Sequence, residues 1–354
     1  SDIDCNGDCF GDAYIDDCGA CDNDSTNDCV DYTIEISLNN ELISFYALPE
    51  NASIENMFSG IEHQDPGLLG EGMSAIYDDE LGWLGTLTDI EPTDGYWVII
   101  DDVEGAVDVA DAIPTNPSTE YDLHIHTNLI SYPFAGSADI EETIPSDAQL
   151  SIDAIIGEGA ATMNTETGWV GGLLNLSGTE GYWFITNDSV SFTYNPPTEG
   201  VARKASPIRS VPMEFAFRQS TQQAFYFVEN ATIGGEPIDK EDLIIAYNGD
   251  VRVGSRYWYG ETTDIPAMGT DGSDAYAGYC SAGDKISFKV LDASSGDLIN
   301  MVTDSEAIWN NNEFSIISLS DRVIPEAISF SAAYPNPFNP VTMISFAVPS
   351  EMEV

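Results

Sequence analysis

In the first thirty residues, oxygen-bearing side chains alternate along the chain. Asp2, Asp4, Asn6 and Asp8 surround Gly7 in the pattern D-x-D-x-N-G-D, and Asp12 follows. Calcium takes roughly six to eight oxygens in flexible geometry, and alternate carboxylates wound about a glycine turn supply that donor set. A second cluster, Asp16, Asp17, Asp22, Asp24 and Asp28, follows among the cysteines. The competing reading is a solvated acidic linker. No Glu closes the first loop, which argues against an EF-hand.

Cys5, Cys9, Cys18, Cys21 and Cys29 crowd into the same segment. Such density with little apolar content reads as a disulfide-stapled module of an exported protein. Cys18-Gly19-Ala20-Cys21 also has the spacing of a zinc knuckle, but the surrounding carboxylates suit a hard cation better. Five cysteines leave one over, and the sixth is Cys280. It reads either as a buried free thiol or as a disulfide partner of the N-terminal module, within the chain or on a neighbouring subunit. Residues 1–30, with acidic loops and disulfides in place of a hydrophobic core, resemble the thrombospondin type 3 calcium repeats. That resemblance implies calcium held by Asp2, Asp4, Asn6, Asp8, Asp12, Asp17, Asp22, Asp24 and Asp28.

Catalytic chemistry finds less support. The chain has no P-loop, G-x-G-x-x-G, G-x-S-x-G or H-E-x-x-H pattern, and His63, His124 and His126 stand beside no nucleophile. His124 and His126 flank Ile125 and so share one strand face, where two metal ligands or two solvent-facing side chains are the alternatives. Cys280 has no neighbouring His to activate it. Carboxylate pairs discriminate nothing in so acidic a chain. The expectation is a protein that is not an enzyme, with a secreted hydrolase the weakest reading.

These groups must be positioned by a chain of 354 residues, long enough for several packed cores, whose organising feature occurs twice. Gly70-Glu71-Gly72, Gly82-Trp83-Leu84-Gly85 and Gly95-Tyr96-Trp97 return in order as Gly157-Glu158-Gly159, Gly168-Trp169-Val170-Gly171 and Gly181-Tyr182-Trp183. Upstream, Leu42-Ile43-Ser44-Phe45 returns as Leu129-Ile130-Ser131-Tyr132. The spacing is that of a small domain, longer than a solenoid repeat. The four repeated tryptophans read as a core pair in each copy, or as a sugar-stacking platform if they are exposed. Period-two alternation in Tyr32–Leu38 and Tyr121–His126 predicts half-buried strands, with short helical segments at Ser53–Ile61 and Asp139–Ile144. Asp102–Thr119, carrying Pro114 and Pro117, reads as the linker between copies.

Charge divides the chain in two. Asp and Glu number 61 against 10 Lys and Arg, and every cation lies at or after Arg203. Residues 1–202 therefore have no basic patch for nucleic acid or an anionic membrane. A net charge of −51 calls for counter-ions or divalent cations to offset self-repulsion. The segment Asn195–Pro212 holds Arg203, Lys204 and Arg209, and reads as a solvated hinge or as a strap on the cation-free half. No apolar run reaches the roughly 18 residues of a membrane span. The acidic, Cys-rich opening fits a mature exported form.

Beyond it, Ala224–Val228, Leu243–Tyr247 and Ile286–Val290 are strand-like, and Asn248-Gly249 marks a hairpin turn. Asp271-Gly272-Ser273-Asp274 is a polar loop that could take a cation. Ala333-Tyr334-Pro335-Asn336-Pro337-Phe338-Asn339-Pro340, followed by the strand Val341–Val348, resembles the opening of the immunoglobulin-like C-terminal domains that mark cargo of the type IX secretion pathway. The resemblance implies export to the cell surface. One strand with open edges needs a partner, so Val341, Ile344 and Phe346 are expected to be completed by further chain or by a neighbour.

The expected architecture is all-β. It comprises a disulfide- and calcium-stabilised irregular module (1–30), repeat copies at 31–112 and 113–194, a basic linker (195–212), a β-sandwich (213–322) and the start of a sorting domain (323–354). The expected function is a self-associating subunit of an extracellular filament or surface layer. Assembly contacts are expected at Arg203, Lys204, Arg209, Val341, Ile344 and Phe346. A carbohydrate-binding adhesin, with cell-surface glycans as partner, is the alternative.

Overall fold

Alternation with period two governs the chain. In Val30–Ile36 the apolar side chains Ile34 and Ile36 are buried while Asp31, Thr33 and Glu35 face solvent. The computed structural model describes residues 3–15, 21–23, 28–100, 103–198, 206–321, 329–330 and 346–347. Among them strands dominate, and the α-helices are single short turns. The all-β expectation holds.

The two repeats share one topology. In the first, a five-stranded antiparallel sheet runs in the order Asn39–Ser44, Gly95–Ile100, Gly67–Gly70, Met73–Asp78, Gly82–Gly85. In the second, His126–Ile130, Tyr182–Thr186, Ile152–Ile156, Ala161–Thr165 and Gly168–Gly171 repeat it. Each sheet closes its core against a smaller sheet. In the first repeat this is Val30–Ile36, Gly105–Pro114 and Ala47–Leu48; in the second it is Tyr121–Leu123 paired with Val190–Phe192. Phe45, Phe58 and Tyr96 fill the first core, and Tyr132, Tyr182 and Phe184 the second. The expected helical segments shrink to Ile54–Met57 and Ile140–Thr143, the latter capped by Asp139 Oδ1, which accepts the Glu141 amide at 2.9 Å.

Three expectations need correction. Asp102–Thr119 is not simply a linker, because Gly105–Pro114 is the central strand of the first repeat's small sheet. Its Val107 and Val109 alternate into the core, and Ala112 follows past a bulge. The strand through Tyr121–His126 breaks at His124, and His126 has φ +84°, so the two histidines do not share a strand face. Trp97 and Trp183 do not close the separate cores but leave them for the surface where the repeats meet.

The third unit builds its core within one curled sheet of eight strands rather than between two flat ones. Gln223–Ile233 lies beside the parallel strand Phe314–Ser320 and also pairs with Thr263–Met268. Its core includes Tyr226, Phe288, Ile317 and Trp309. The curl brings Val251–Tyr257 onto Thr263–Met268 so closely that a Cβ on Gly254 would lie 1.7 Å from the Pro266 carbonyl oxygen. Gly249, with φ +58°, turns the expected hairpin. Segment 206–208 is pinned rather than free: Ser206 Oγ donates to the Gly172 carbonyl at 3.3 Å and Ile208 packs on the second core.

At the N-terminus, Cys5 and Cys21 form a disulfide, and Tyr14–Ile15 pairs with Cys21–Asp22. Closing a loop of that size stabilises by about 3 kcal/mol in the chain-entropy view. Ile3, Phe10, Tyr14 and Ile15 stay exposed, so covalent closure and local hydrogen bonds replace a core here. Ser329–Phe330 pairs with Phe346–Ala347, which gives the terminal strand a partner within the chain. Substituting Gly254→Ala is expected to force two backbones apart and to lower stability by about 2–4 kcal/mol, read as a shifted midpoint in urea with far-UV dichroism.

Candidate functional site

The repeats meet through reciprocal contacts, as across a pseudo-twofold axis. Leu42 N donates to Glu158 Oε2 at 3.0 Å, and the equivalent Leu129 N donates to Glu71 Oε2 at 2.8 Å. Ser44 N donates to the Thr179 carbonyl and Ser131 N to that of Thr93. Ile43 bridges Glu180, and Ile130 bridges Asp94. Leu42, Leu129, Trp97, Trp183 and Leu69 form the apolar centre. This is an isologous interface inside one chain.

Two glycines allow it. A Cβ on Gly181 would stand 2.7 Å from the Ile43 carbonyl oxygen and 3.3 Å from the Gly95 Cα, and one on Gly95 would stand 2.9 Å from Leu129 Cδ1. The glycine of each Gly-Tyr-Trp motif serves close approach, not a turn. Tyr96 and Tyr182 then repeat one hydrogen bond, accepting the amides of Glu91 and Ser177. Trp83 and Trp169 each donate to a helical-segment side chain, Glu62 Oε1 at 3.1 Å and Gln149 Oε1 at 3.0 Å. Trp97 is 2% exposed and the other three repeated tryptophans are half-buried, so no open aromatic platform forms from them.

The junction crowds acids, and its two halves resolve this differently. On one side Glu158 is exposed as a residue but turns its carboxyl inward toward Leu42; desolvation, with Glu41 and Glu180 nearby, pushes that carboxyl up to about 8. Glu180 is raised as well, first by desolvation. On the other side Glu71 Oε1 meets His124 Nε2 at 2.7 Å. Hydrogen bonds to the Ile125 carbonyl and to Glu71 raise the His124 imidazole above its ordinary value.

The third unit clamps the second repeat. Gln223 brackets the Gly157-Glu158-Gly159 turn, donating from Nε2 to the Gly157 carbonyl and accepting the Gly159 amide at Oε1. Arg256 Nη2 lies 3.3 Å from Asp264 Oδ2 in a buried ion pair, and the same guanidinium donates to the Gly159 carbonyl. Asp264 also accepts from Ala161 N and Tyr259 Oη. Burial pushes the Asp264 carboxyl up, while Arg256 and these donors pull it back. Asn40 Nδ2 reaches from the first repeat to the Tyr276 hydroxyl at 2.6 Å. A cleft of about 320 Å³ remains where the three units meet, lined by Trp97, Trp183, Leu129, Met73, Gln222 and Asn311. Both indole Nε1 atoms there are buried without a hydrogen-bond partner.

The sequence-predicted sites are not all brought together. Asp4 Oδ1 accepts the Asp8 amide at 2.8 Å, and the Asp4 carboxyl packs against Gly11. Asp28 accepts from the Tyr14 hydroxyl. Asn6 and Asp12 stand nearby in sequence, yet no three carboxylate, His or Cys groups among the described residues gather to hold a metal, the Asp271–Asp274 loop included. Asp2, Asp16, Asp17, Asp24, Cys18, Arg203, Lys204, Val341 and Ile344 lie outside the described residues, as do the side chains of Asp22 and Phe346.

Cys29 is disulfide-bonded, but Cys9 is an exposed free thiol. Cys280 is a free thiol too, and buried, which matches the first of its two readings. It lies inside the third core, away from solvent, where burial pushes its thiol up to about 12 and leaves it inert. Arg209 stays on its own unit, against Glu241 at 3.1 Å and over the Tyr257 ring at 4.1 Å. The reciprocal junction and the Asp264–Arg256 clamp had no direct sequence signal beyond the repeat itself.

A carboxyl that folding raises takes up a proton, so its contribution is complete below its unfolded value and declines as pH rises through its folded one. Glu158 should therefore cost stability progressively between about pH 4.5 and 8. Glu158→Gln is expected to flatten the fall in thermal midpoint across that window while leaving acid stability unchanged. Gly181→Ala should destabilise by roughly 1–3 kcal/mol through overpacking at the axis, measured by chemical unfolding. The chain matches no family model, no curated protein and no solved structure.

Proposed function

We propose that the chain is a self-associating structural subunit of an extracellular filament or surface layer, stabilised by calcium at its acidic N-terminal module. The supporting observation is that apolar side chains remain in water on both charge halves of one interlocked block. Ile76, Leu81 and Leu84 stand exposed on the cation-free first repeat, and Leu298, Val302 and Ile316 on the unit that holds the described cations. Contiguous exposed apolar groups mark association surfaces. The reciprocal junction and the clamp make the block stiff enough to transmit a fixed geometry from subunit to subunit. The disulfide and the resemblance of the Y-P-N-P-F-N-P motif to sorting domains support export to the cell surface.

A second reading, glycan binding, draws on an open cleft of about 690 Å³ in the third unit, lined by Tyr247, Tyr279, Arg218, Arg252 and Asp250. Tyrosine faces beside charged donors can hold a sugar ring. Sedimentation velocity and negative-stain microscopy of the whole chain, in calcium and then in excess chelator, separate the two. Ordered polymers that loosen in chelator are the expected result. A monodisperse monomer in both conditions would defeat the assembly reading and shift attention to titration of glycans against wild type and Tyr247→Ala.

A further inference from the structure

The pseudo-twofold axis that relates the repeats has no counterpart for the third unit. On the second repeat, the outward face of the five-stranded sheet carries Ile156, Ala161, Met163, Val170 and Ile185, and it lies beneath Phe225, Phe227 and Phe314 of the third unit. Strand register identifies the matching positions on the first repeat. Ile156 faces Trp183 as Leu69 faces Trp97, and Met163 faces Val170 as Ile76 faces Leu84. Ile185 corresponds to Ile99 in the same register. Ser74 stands where the second repeat has Ala161; otherwise the apolar face exists twice, and only one copy is covered. Met163 is 4% exposed, whereas Ile76 is 57% and Leu84 42% exposed.

The covering surface is likewise only partly used. In Phe314–Ser320 the core takes Ile317 and Leu319, so Phe314 and Ile316 point outward, in register with Phe225 and Phe227. Phe314 joins the intramolecular interface; Ile316 beside it is 47% exposed. Farther along the same outward face, on the adjoining strand, Val302 stands opposite Ser320 and Leu298 beyond it, while Met301 belongs to the core. On the next strand Phe288 and Val290 point to the core, and Lys289 between them stands outward opposite Asn300. On the first repeat, Asp78, Asp79 and Glu80 form the hairpin that joins the strands of Ile76 and Leu84.

We infer that the uncovered sheet face of the first repeat receives the Ile316–Val302–Leu298 strip of the third unit from a second copy of this chain. The inference rests on the self-association reading and gives it a geometry. The strip is continuous with a surface that already packs on an equivalent face inside the molecule. Lys289, whose ammonium also lies over the Tyr247 ring at 4.8 Å, supplies a cation on the same outward face, and the repeat with the acidic hairpin has no Lys or Arg of its own. The two faces differ, so the contact is heterologous: each chain offers one donor strip and one acceptor face, and association propagates head to tail into a filament or closes as a ring.

The test uses full-length chains in a Cys9→Ser background, which removes the exposed thiol. Ile76→Cys and Ile316→Cys are placed in separate chains, mixed under mild oxidation and resolved on non-reducing gels. A covalent dimer in the mixture, and little in either variant alone, is the expected result. Ile76→Asp and Ile316→Asp, both at exposed positions whose folding is checked by far-UV dichroism, should each raise the concentration needed for assembly by about tenfold or more. Cross-linking of Ile76→Cys to itself would overturn the head-to-tail geometry in favour of face-to-face pairing. Polymers from both Asp variants at wild-type concentrations would overturn the assignment of faces while leaving self-association standing. A wild-type chain that stays monomeric at every concentration would overturn both.

Discussion

Two glycine Cα atoms meeting at a pseudo-twofold axis set the geometry of this molecule. Gly95 and Gly181 approach so closely that a methyl group on either would enter a backbone or a leucine of the other repeat. Because they do, Leu42 and Leu129 can interdigitate with Trp97 and Trp183, and each repeat can offer an amide to a carboxylate of the other. Close approach of backbone to backbone brings hydrogen bonds that side-chain packing alone would not. The rest of the block is hung from that contact, since the third unit grips the very turn that carries Glu158.

The same junction shows how a chain without basic residues in its first 202 positions manages acidic crowding. No Lys or Arg is at hand to neutralise the inward carboxyls. One half of the interface holds a proton on Glu158 to higher pH than usual, and the other recruits His124 beside Glu71. Where a cation is present, in the third unit, the solution changes: Arg256 enters the interior with Asp264, and the pair is completed by backbone and tyrosine donors. An isolated buried charge would be unaffordable there, and a fully hydrogen-bonded pair is not. Symmetry of sequence therefore does not imply symmetry of electrostatics.

Much of the fold was legible before any coordinates. The period-two strands, the tandem repeat and the separate third unit follow from alternation and self-similarity, which depend on local chemistry. What misled was also local. Proline residues at 114 and 117 suggested a linker where Val107 and Val109 already alternated as a strand, and two histidines two residues apart suggested a shared face that a positive φ at His126 removes. Cys280 could not be resolved from its neighbours alone, because burial inside a core is a property of the whole sheet.

By itself the sequence determined the class of structure, the duplication, the partition of charge and the covalent character of the N-terminal module, because each is written in residue types and spacings. Tertiary structure alone decided that Trp97 and Trp183 leave their own cores to meet at a shared surface, that Gly95 and Gly181 serve contact and not turning, and that one of two equivalent sheet faces is covered. The reason is physical. A repeat encodes two equivalent surfaces, but a single third unit can cover only one of them, and which side chains remain in water depends on how three cores are placed in space.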